Sequence, residues 1–346
     1  MQSEKQINPI HSCKRIAYID IAKGFAMFCI IAGHFGIASV NHFVYTFHVP
    51  LFFLLSGYFL SKKMDLKAFA KKKVRQLLLP YVVVGVFLIP CTFVIRIICG
   101  DSVEAVIGNI SSIPLAILYG SGTPLTNPFY IRQIGLLWFL PALFFALMTV
   151  RVSLNCRYPL LLISAIALFG LISARFFWLP LSLQSGFIAS FFVYLGYLAR
   201  HLGVMDWRPH FLVVFALASL WALCVFFGIG ANIVNGTFDY GFISVVDALG
   251  ASYLILLAAK YVEGHLSTPS RFLEYCGQAT LIMMCFHAVA DYAFPNYLLY
   301  QFLEMGLGFI HPVCNVIVVS LNMAWAVLGI SITYRVPVLK KLFFVK

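Results

Sequence analysis

Apolar runs of about 18 residues or more, broken by short polar links, recur along the chain from Ile16 to Thr333. A run of that length can cross a bilayer as a helix. The pattern predicts spans at about 16–36, 47–61, 77–98, 134–150, 158–176, 184–200, 210–230, 242–261, 277–294 and 308–334. The fold class is therefore all-α, a polytopic integral membrane bundle of about ten transmembrane helices. This divides the chain into a tail at 1–15, a membrane-embedded bundle at 16–334 and a basic tail at 335–346. The longest link, about 99–133, is rich in Gly, Ser, Pro and Asn. It reads as an outer loop, long enough to be a lid. No internal repeat marks the chain as a repeat-built transporter.

Composition agrees with the pattern. Of the 346 residues, 62% are hydrophobic and 10% charged, against roughly half and a quarter in a soluble domain. The run from Tyr18 to His34 is too long, and too charged, for a cleavable leader. No soluble domain of any size is left once the spans are removed, so function is expected in the bundle.

Charge changes the picture through its distribution. A net charge of +12 could suit nucleic acid, but all of the 24 Lys and Arg except Lys23, Arg96, Arg132 and Arg175 fall in the tails and in links on one side of the predicted spans. That asymmetry is the signature of cytoplasmic loops, so both termini are predicted cytoplasmic and no nucleic-acid partner is expected. The nine cysteines form no Cys-x-x-Cys pair and lie mostly in apolar runs. Neither a metal site nor a disulfide framework is expected.

The chemistry concentrates where lipid should be. The first span, "YIDIAKGFAMFCIIAGH", carries Asp20, Lys23 and His34. On a helix Lys23 and His34 share a face about 16 Å apart along the axis, with Asp20 one turn before Lys23. A charge at the bilayer centre costs about 2.5–3.5 kcal/mol. Lys23 can snorkel and pair with Asp20; His34 has no partner within its helix. A histidine bonded between helices is the plain alternative to a functional one. "FHVPLFFLLSGYFL" (Phe47–Leu60) follows after a short turn, which sets His48 at the level of His34. Ser56 and Gly57 in it are small enough for close helix packing. His287 and Asp291 lie four apart on one face of the ninth span, where Asp291 could orient His287 or the pair could be a structural clasp. Trp138 reads as an interfacial anchor or a platform for a sugar ring.

Lys23-x10-His34, "FHVPLFFLLSGY", "RQLLLPY" (Arg75–Tyr81), "LLWFLPALFF" (Leu136–Phe145), "FFVYLGYLAR" (Phe191–Arg200) and "YCGQATLIMMCFH" (Tyr275–His287) occur in this order. As an ordered set they resemble the membrane-bound acyltransferase-3 family over about residues 14–335. The nearest flavour is similar to its fucose 4-O-acetylase-like and enterobacterial-common-antigen O-acetyltransferase-like branch. The resemblance implies transfer of an acyl group, usually acetyl from acetyl-coenzyme A, to hydroxyl groups of envelope glycans or lipid-linked sugars at the bacterial inner membrane. The basic position of the family motif is most often Arg; here Lys23 keeps the charge but not the bidentate fork.

Acetyl transfer from a thioester to a hydroxyl needs a general base and a donor for the oxyanion. Neutral histidine is the usual base near pH 7. His34 is expected as base, with His48 as its partner or as a donor that binds the acceptor, and with Asp20 and Lys23 completing the catalytic stripe. Arg15, Lys23, Arg75 and Tyr81 are expected at the coenzyme A site, on the side of the basic cluster Lys62–Arg75. His287, Asp291, Trp138 and Ser56 are expected toward the acceptor. The expected partners are the lipid bilayer, coenzyme A and a glycan or lipid-linked sugar. A polytopic transporter or flippase of glycan precursors, or a structural membrane partner, is the rival reading.

Overall fold

The computed structural model describes residues 15–126 and 129–344; of the expected N-terminal tail only Arg15 falls among them. The described residues are mostly helical, with almost no strand. Helices α1 (Ala17–Gly33), α2 (Ala38–Val44), α3 (His48–Tyr58), α4 (Leu66–Lys73) and α5 (Leu79–Ile98) come first. Then follow α6 (Val103–Ile110), α7 (Ile113–Tyr119), α8 (Phe139–Ser153), α9 (Pro159–Ser173), α10 (Leu183–His201) and α11 (Phe211–Phe227). A two-stranded hairpin, β1 (Ala231–Asn232) and β2 (Thr237–Phe238), leads into α12 (Phe242–His265). The chain closes with α13 (Ser267–Gln278), α14 (Thr280–Ala293), α15 (Asn296–Gln301), α16 (His311–Arg335) and α17 (Pro337–Phe343).

A helix stands at each expected span, but fewer are long and apolar enough to cross a membrane. Five satisfy length and hydropathy: Ala38–Tyr58, Leu66–Ile98, Gly135–Ser153, Phe242–His265 and His311–Arg335. A sixth is counted if the pair α13 and α14, bent by 75°, forms one broken span. The expected straight span at 277–294 is thus half of a bent pair. The link 99–133 is not a plain loop either. Ser102 caps α6 by accepting the Ala105 N–H, Pro114 starts α7, and Gly120 ends it at a φ of +62°. The expected basic tail also continues as a helix, α17.

The links alternate between two ends of the bundle. At one end Thr123 bonds Asn235, Ser182 bonds the Gly120 carbonyl, and the Ala231 N–H meets the Tyr45 carbonyl at 3.3 Å. At the other, buried Arg151 donates to the carbonyls of Lys62 and Met64 at 3.2 and 2.8 Å. Lys62 bonds the Leu154 carbonyl there, and Lys260 that of Met205. These bonds satisfy carbonyls exposed by helix ends and turns, which lipid could not do.

Close helix pairs need glycine. A Cβ on Gly277 would lie 1.7 Å from the Asp20 carbonyl oxygen, and one on Gly24 2.1 Å from that of Leu273, so α1 and α13 touch backbone to backbone. The pair α3 and α10 repeats this through Gly57 against Val193 and Gly196 against Leu54. Without a hydrophobic drive between helices in lipid, such small-residue contacts hold them together by packing. They fix α1 and α3, the helices that carry His34 and His48.

Candidate active site

His34 closes the last turn of α1. Its Nδ1 donates to the Ile30 carbonyl at 2.7 Å. A carbonyl only accepts, so the proton sits on Nδ1 and Nε2 is left with a free lone pair. His48, buried at the start of α3, repeats the arrangement, with Nδ1 donating to the Val44 carbonyl at 2.6 Å. In both cases the backbone one turn earlier sets the tautomer, the service an aspartate performs in a catalytic triad.

His287 approaches His34 from α14. The ring centroids are 5.3 Å apart and nearly perpendicular, at 79°. His287 is fully buried, and neither of its ring nitrogens has a hydrogen-bond partner among the described residues. Asp291 therefore does not hydrogen-bond to His287, although the two lie on one face; its carboxylate lies beside Gly135. His34 lies within electrostatic reach of His48, His287 and Asp291. The structure thus gathers the three histidines and the aspartate around the end of α1.

From the other end of α1, a cavity of about 320 Å³ runs along the same stripe. Lys23, Met27 and Ile30 form one wall, and Ser56 and Trp138 face it from α3 and the turn before α8. Its lining is mostly apolar, with Lys23 and Lys73 as its charged members. It stops one turn short of His34, at Ile30, whose carbonyl holds the imidazole. Lys23 pairs with Asp20 at 2.6 Å, the carboxylate nearly buried and the ammonium partly open.

The remaining expected residues separate. Trp138 is buried in the cavity wall, not exposed at an interface. Ser56 lines the cavity while its hydroxyl donates to the Phe52 carbonyl at 2.7 Å. Arg75 is exposed on the π-helical turn Val74–Leu78 and Arg15 is exposed at the foot of α1; neither lines the cavity. Tyr81 is buried away from it, with its hydroxyl given to the Ile117 carbonyl.

Sequence reasoning missed Lys73 as a site residue. Lys73 ends α4, just before the π-helical turn Val74–Leu78. Lys73 turns inward over the Phe69 ring, 5.7 Å from its centroid, while Lys71, Lys72 and Arg75 stay exposed. In the sequence it is one lysine of a run of three and carries no signal of its own.

Chemically, the site offers a hydrogen-bond acceptor at the end of α1 in a cluster of imidazoles. A covered, mostly apolar slot leads to it from a cationic end. An acyl chain or thioester arm suits such a slot, and its anionic head suits the lysines. No curated protein and no solved structure matches the chain. The model of the acyltransferase-3 family, described as an acyltransferase domain, matches residues 16–336. Nearly the whole bundle, including both ends of the cavity and all three histidines, lies inside that match, and the chain belongs to the acyltransferase-3 family.

Proposed function

We propose that this multi-pass membrane protein is an O-acetyltransferase of the bacterial inner membrane, similar to the fucose 4-O-acetylase-like and enterobacterial-common-antigen O-acetyltransferase-like branch. It takes acetyl from acetyl-coenzyme A and places it on a sugar hydroxyl of an envelope glycan or a lipid-linked precursor. One observation carries this reading: the slot beside α1 has lysines at one end and His34 one turn beyond the other. The anionic nucleotide of the donor would bind at Lys23 and Lys73, from the end of the bundle where the basic links gather. The thioester arm would lie along Met27 and Ile30 and bring the carbonyl carbon toward His34.

His34 acts as general base. Nε2 takes the proton of the acceptor hydroxyl as its oxygen attacks the thioester carbonyl; the tetrahedral intermediate then collapses, releasing the coenzyme A thiolate, which the imidazolium can protonate. Nδ1, tied to the Ile30 carbonyl, stays protonated throughout. Positive charge arising on His34 in this step is steadied by the Asp291 carboxylate within its electrostatic reach. His287, whose ring N–H is unengaged, lies beside the same centre and supplies a donor to the oxyanion, while His48, its Nδ1–H given to Val44, can accept from the acceptor through Nε2. Lys23 is held by Asp20 and serves as one pole of the donor site.

Isolated membranes containing the protein, given acetyl-coenzyme A and a crude glycan acceptor, are expected to release free coenzyme A thiol, read with a chromogenic disulfide. Membranes without the protein should not. A transporter or flippase of glycan precursors consumes no thioester, so no release above the control would reject acyl transfer. Lys73→Ala should raise the KM for acetyl-coenzyme A about tenfold or more and leave kcat nearly unchanged, because a charge-assisted hydrogen bond contributes about 1.5–3 kcal/mol. A matched fall in kcat with unchanged KM would remove Lys73 from the donor site.

A further inference from the structure

A second cavity, of about 150 Å³, opens at the end of the bundle opposite the basic links. It lies between α2 and the hairpin region 228–239, and it does not share a lining residue with the slot beside α1. Its polar wall is made by Asn41, His42 and Tyr45 on one side and Asn232, Thr237 and Asp239 on the other. Gly228 and Gly230 bring the backbone close: a Cβ on Gly228 would meet the His42 ring at 2.8 Å, and one on Gly230 would meet Tyr45 at 3.3 Å.

The cavity backs onto both histidine-bearing turns. The Asn41 carboxamide oxygen lies 3.7 Å from where a Cβ of Gly33 would stand, and Gly33 precedes His34. The Tyr45 ring lies 5.1 Å from the His48 ring, edge to face. A ligand seated here would thus stand beside the turns that carry both catalytic histidines.

The lining specifies the ligand. The Asn41 carboxamide oxygen is buried and has no hydrogen-bond partner among the described residues. Such an acceptor costs about 1–3 kcal/mol unless a donor reaches it. One Asp239 carboxylate oxygen takes the Gly230 N–H at 2.9 Å, and the other is left to accept from a ligand. Asn232, Thr237 and His42 add groups that both donate and accept, and Tyr45 adds an aromatic face. No Lys or Arg lines the cavity, and the one formal charge is negative. This set recognises hydroxyl groups and rejects carboxylate or phosphate. The volume equals about five waters at about 30 Å³ each, room for one sugar ring.

We infer that this cavity binds a neutral monosaccharide unit and is the acceptor subsite of the enzyme. The inference rests on the acyl-transfer reading and adds to it the class of acceptor: a neutral, hydroxyl-rich ring, not a uronic acid or a sugar phosphate. The hydroxyl to be acetylated would project past Asn41 toward His34, while the rest of the glycan leaves through the open end near Thr237.

The test uses the full chain in detergent and saturation-transfer NMR. The probes are the methyl glycosides of glucose, galactose, mannose, fucose and N-acetylglucosamine at millimolar concentration, with methyl glucuronide as the anionic comparison. At least one neutral glycoside is expected to bind and the glucuronide is not. Affinity should fall about tenfold in Asn41→Ala and in Asp239→Ala, one hydrogen-bonding group each. The Asn41 side chain makes no hydrogen bond among the described residues, so its removal spares the fold. Absence of binding by every neutral glycoside, preference for the glucuronide, or binding unchanged in both cavity variants would overturn the inference. These outcomes are separate from failure of acyl transfer, which would show as glycoside binding without any coenzyme A release.

Discussion

A single methyl group at Gly57 or at Gly277 is expected to remove the protein from the membrane fraction as a folded species. A Cβ at Gly57 would stand 1.8 Å from the Val193 carbonyl oxygen, and one at Gly277 1.7 Å from that of Asp20. Real Cβ atoms do not approach oxygen so closely, and the obstacle is helix backbone rather than a side chain that can swing away. The helices must separate by more than an ångström, and they then lose the packing that small residues give in lipid. Overpacking of a tight core costs about 1–3 kcal/mol when side chains can adjust; backbone against backbone exceeds that. Gly57→Ala and Gly277→Ala should each lower the thermal unfolding temperature of the detergent-solubilised protein by many degrees or abolish its folded peak in size-exclusion chromatography. Gly264→Ala is the control, since a Cβ there meets nothing within 4 Å. Variants that elute and melt like the wild type would show that α3 and α10, or α1 and α13, do not meet as described.

The second large effect falls on activity alone. His34→Ala should lower acetyl transfer by about 10²–10⁴-fold, the range for a lost general base, while insertion and melting stay near wild type. The separation is possible because the His34 side chain is exposed and its one hydrogen bond among the described residues runs to its own helix. His48→Ala differs, since the buried ring leaves a cavity and its loss should reduce both stability and rate. A fall in rate after His34→Ala smaller than about tenfold would move the base to another imidazole of the cluster.

Much of the fold was legible in the sequence because each helix announces itself by a local apolar run. What escaped depends on distant partners. The bend at Ala279 stands two residues after Gly277, which lies on the Asp20 carbonyl, and that contact with α1 is invisible in "YCGQATLIMMCFH". Helices α6 and α7 are 8 and 7 residues long, too short for a span-length window, and their Gly and Ser neighbours read as loop.

The site divides in the same way. The Asp20–Lys23 pair and the stripe Lys23, Met27, Ile30 follow from helical period alone, and the structure shows that pair and that wall. His34 meets His287, far along the chain, through the packing of α14 on α1. The tautomer of His34 is set by the Ile30 carbonyl. Every helix offers a carbonyl at that offset, so no residue could have signalled it; the sequence offered an orienting carboxylate only for His287, at Asp291. Asn41 and Tyr45 lay in a turn too short to draw notice; only the hairpin packed across them makes a cavity.

The central claim is that acetyl passes to a sugar hydroxyl at His34. It is tested most directly by the O-acetyl content of envelope glycans and lipid-linked sugars, read by mass spectrometry in cells carrying wild type or His34→Ala at equal membrane levels. The account predicts an acetyl increment on a glycan or its lipid-linked precursor in the wild type and its loss in the variant. Equal acetylation in both would contradict catalysis at His34 and leave the polar stripe of α1 a feature of helix packing.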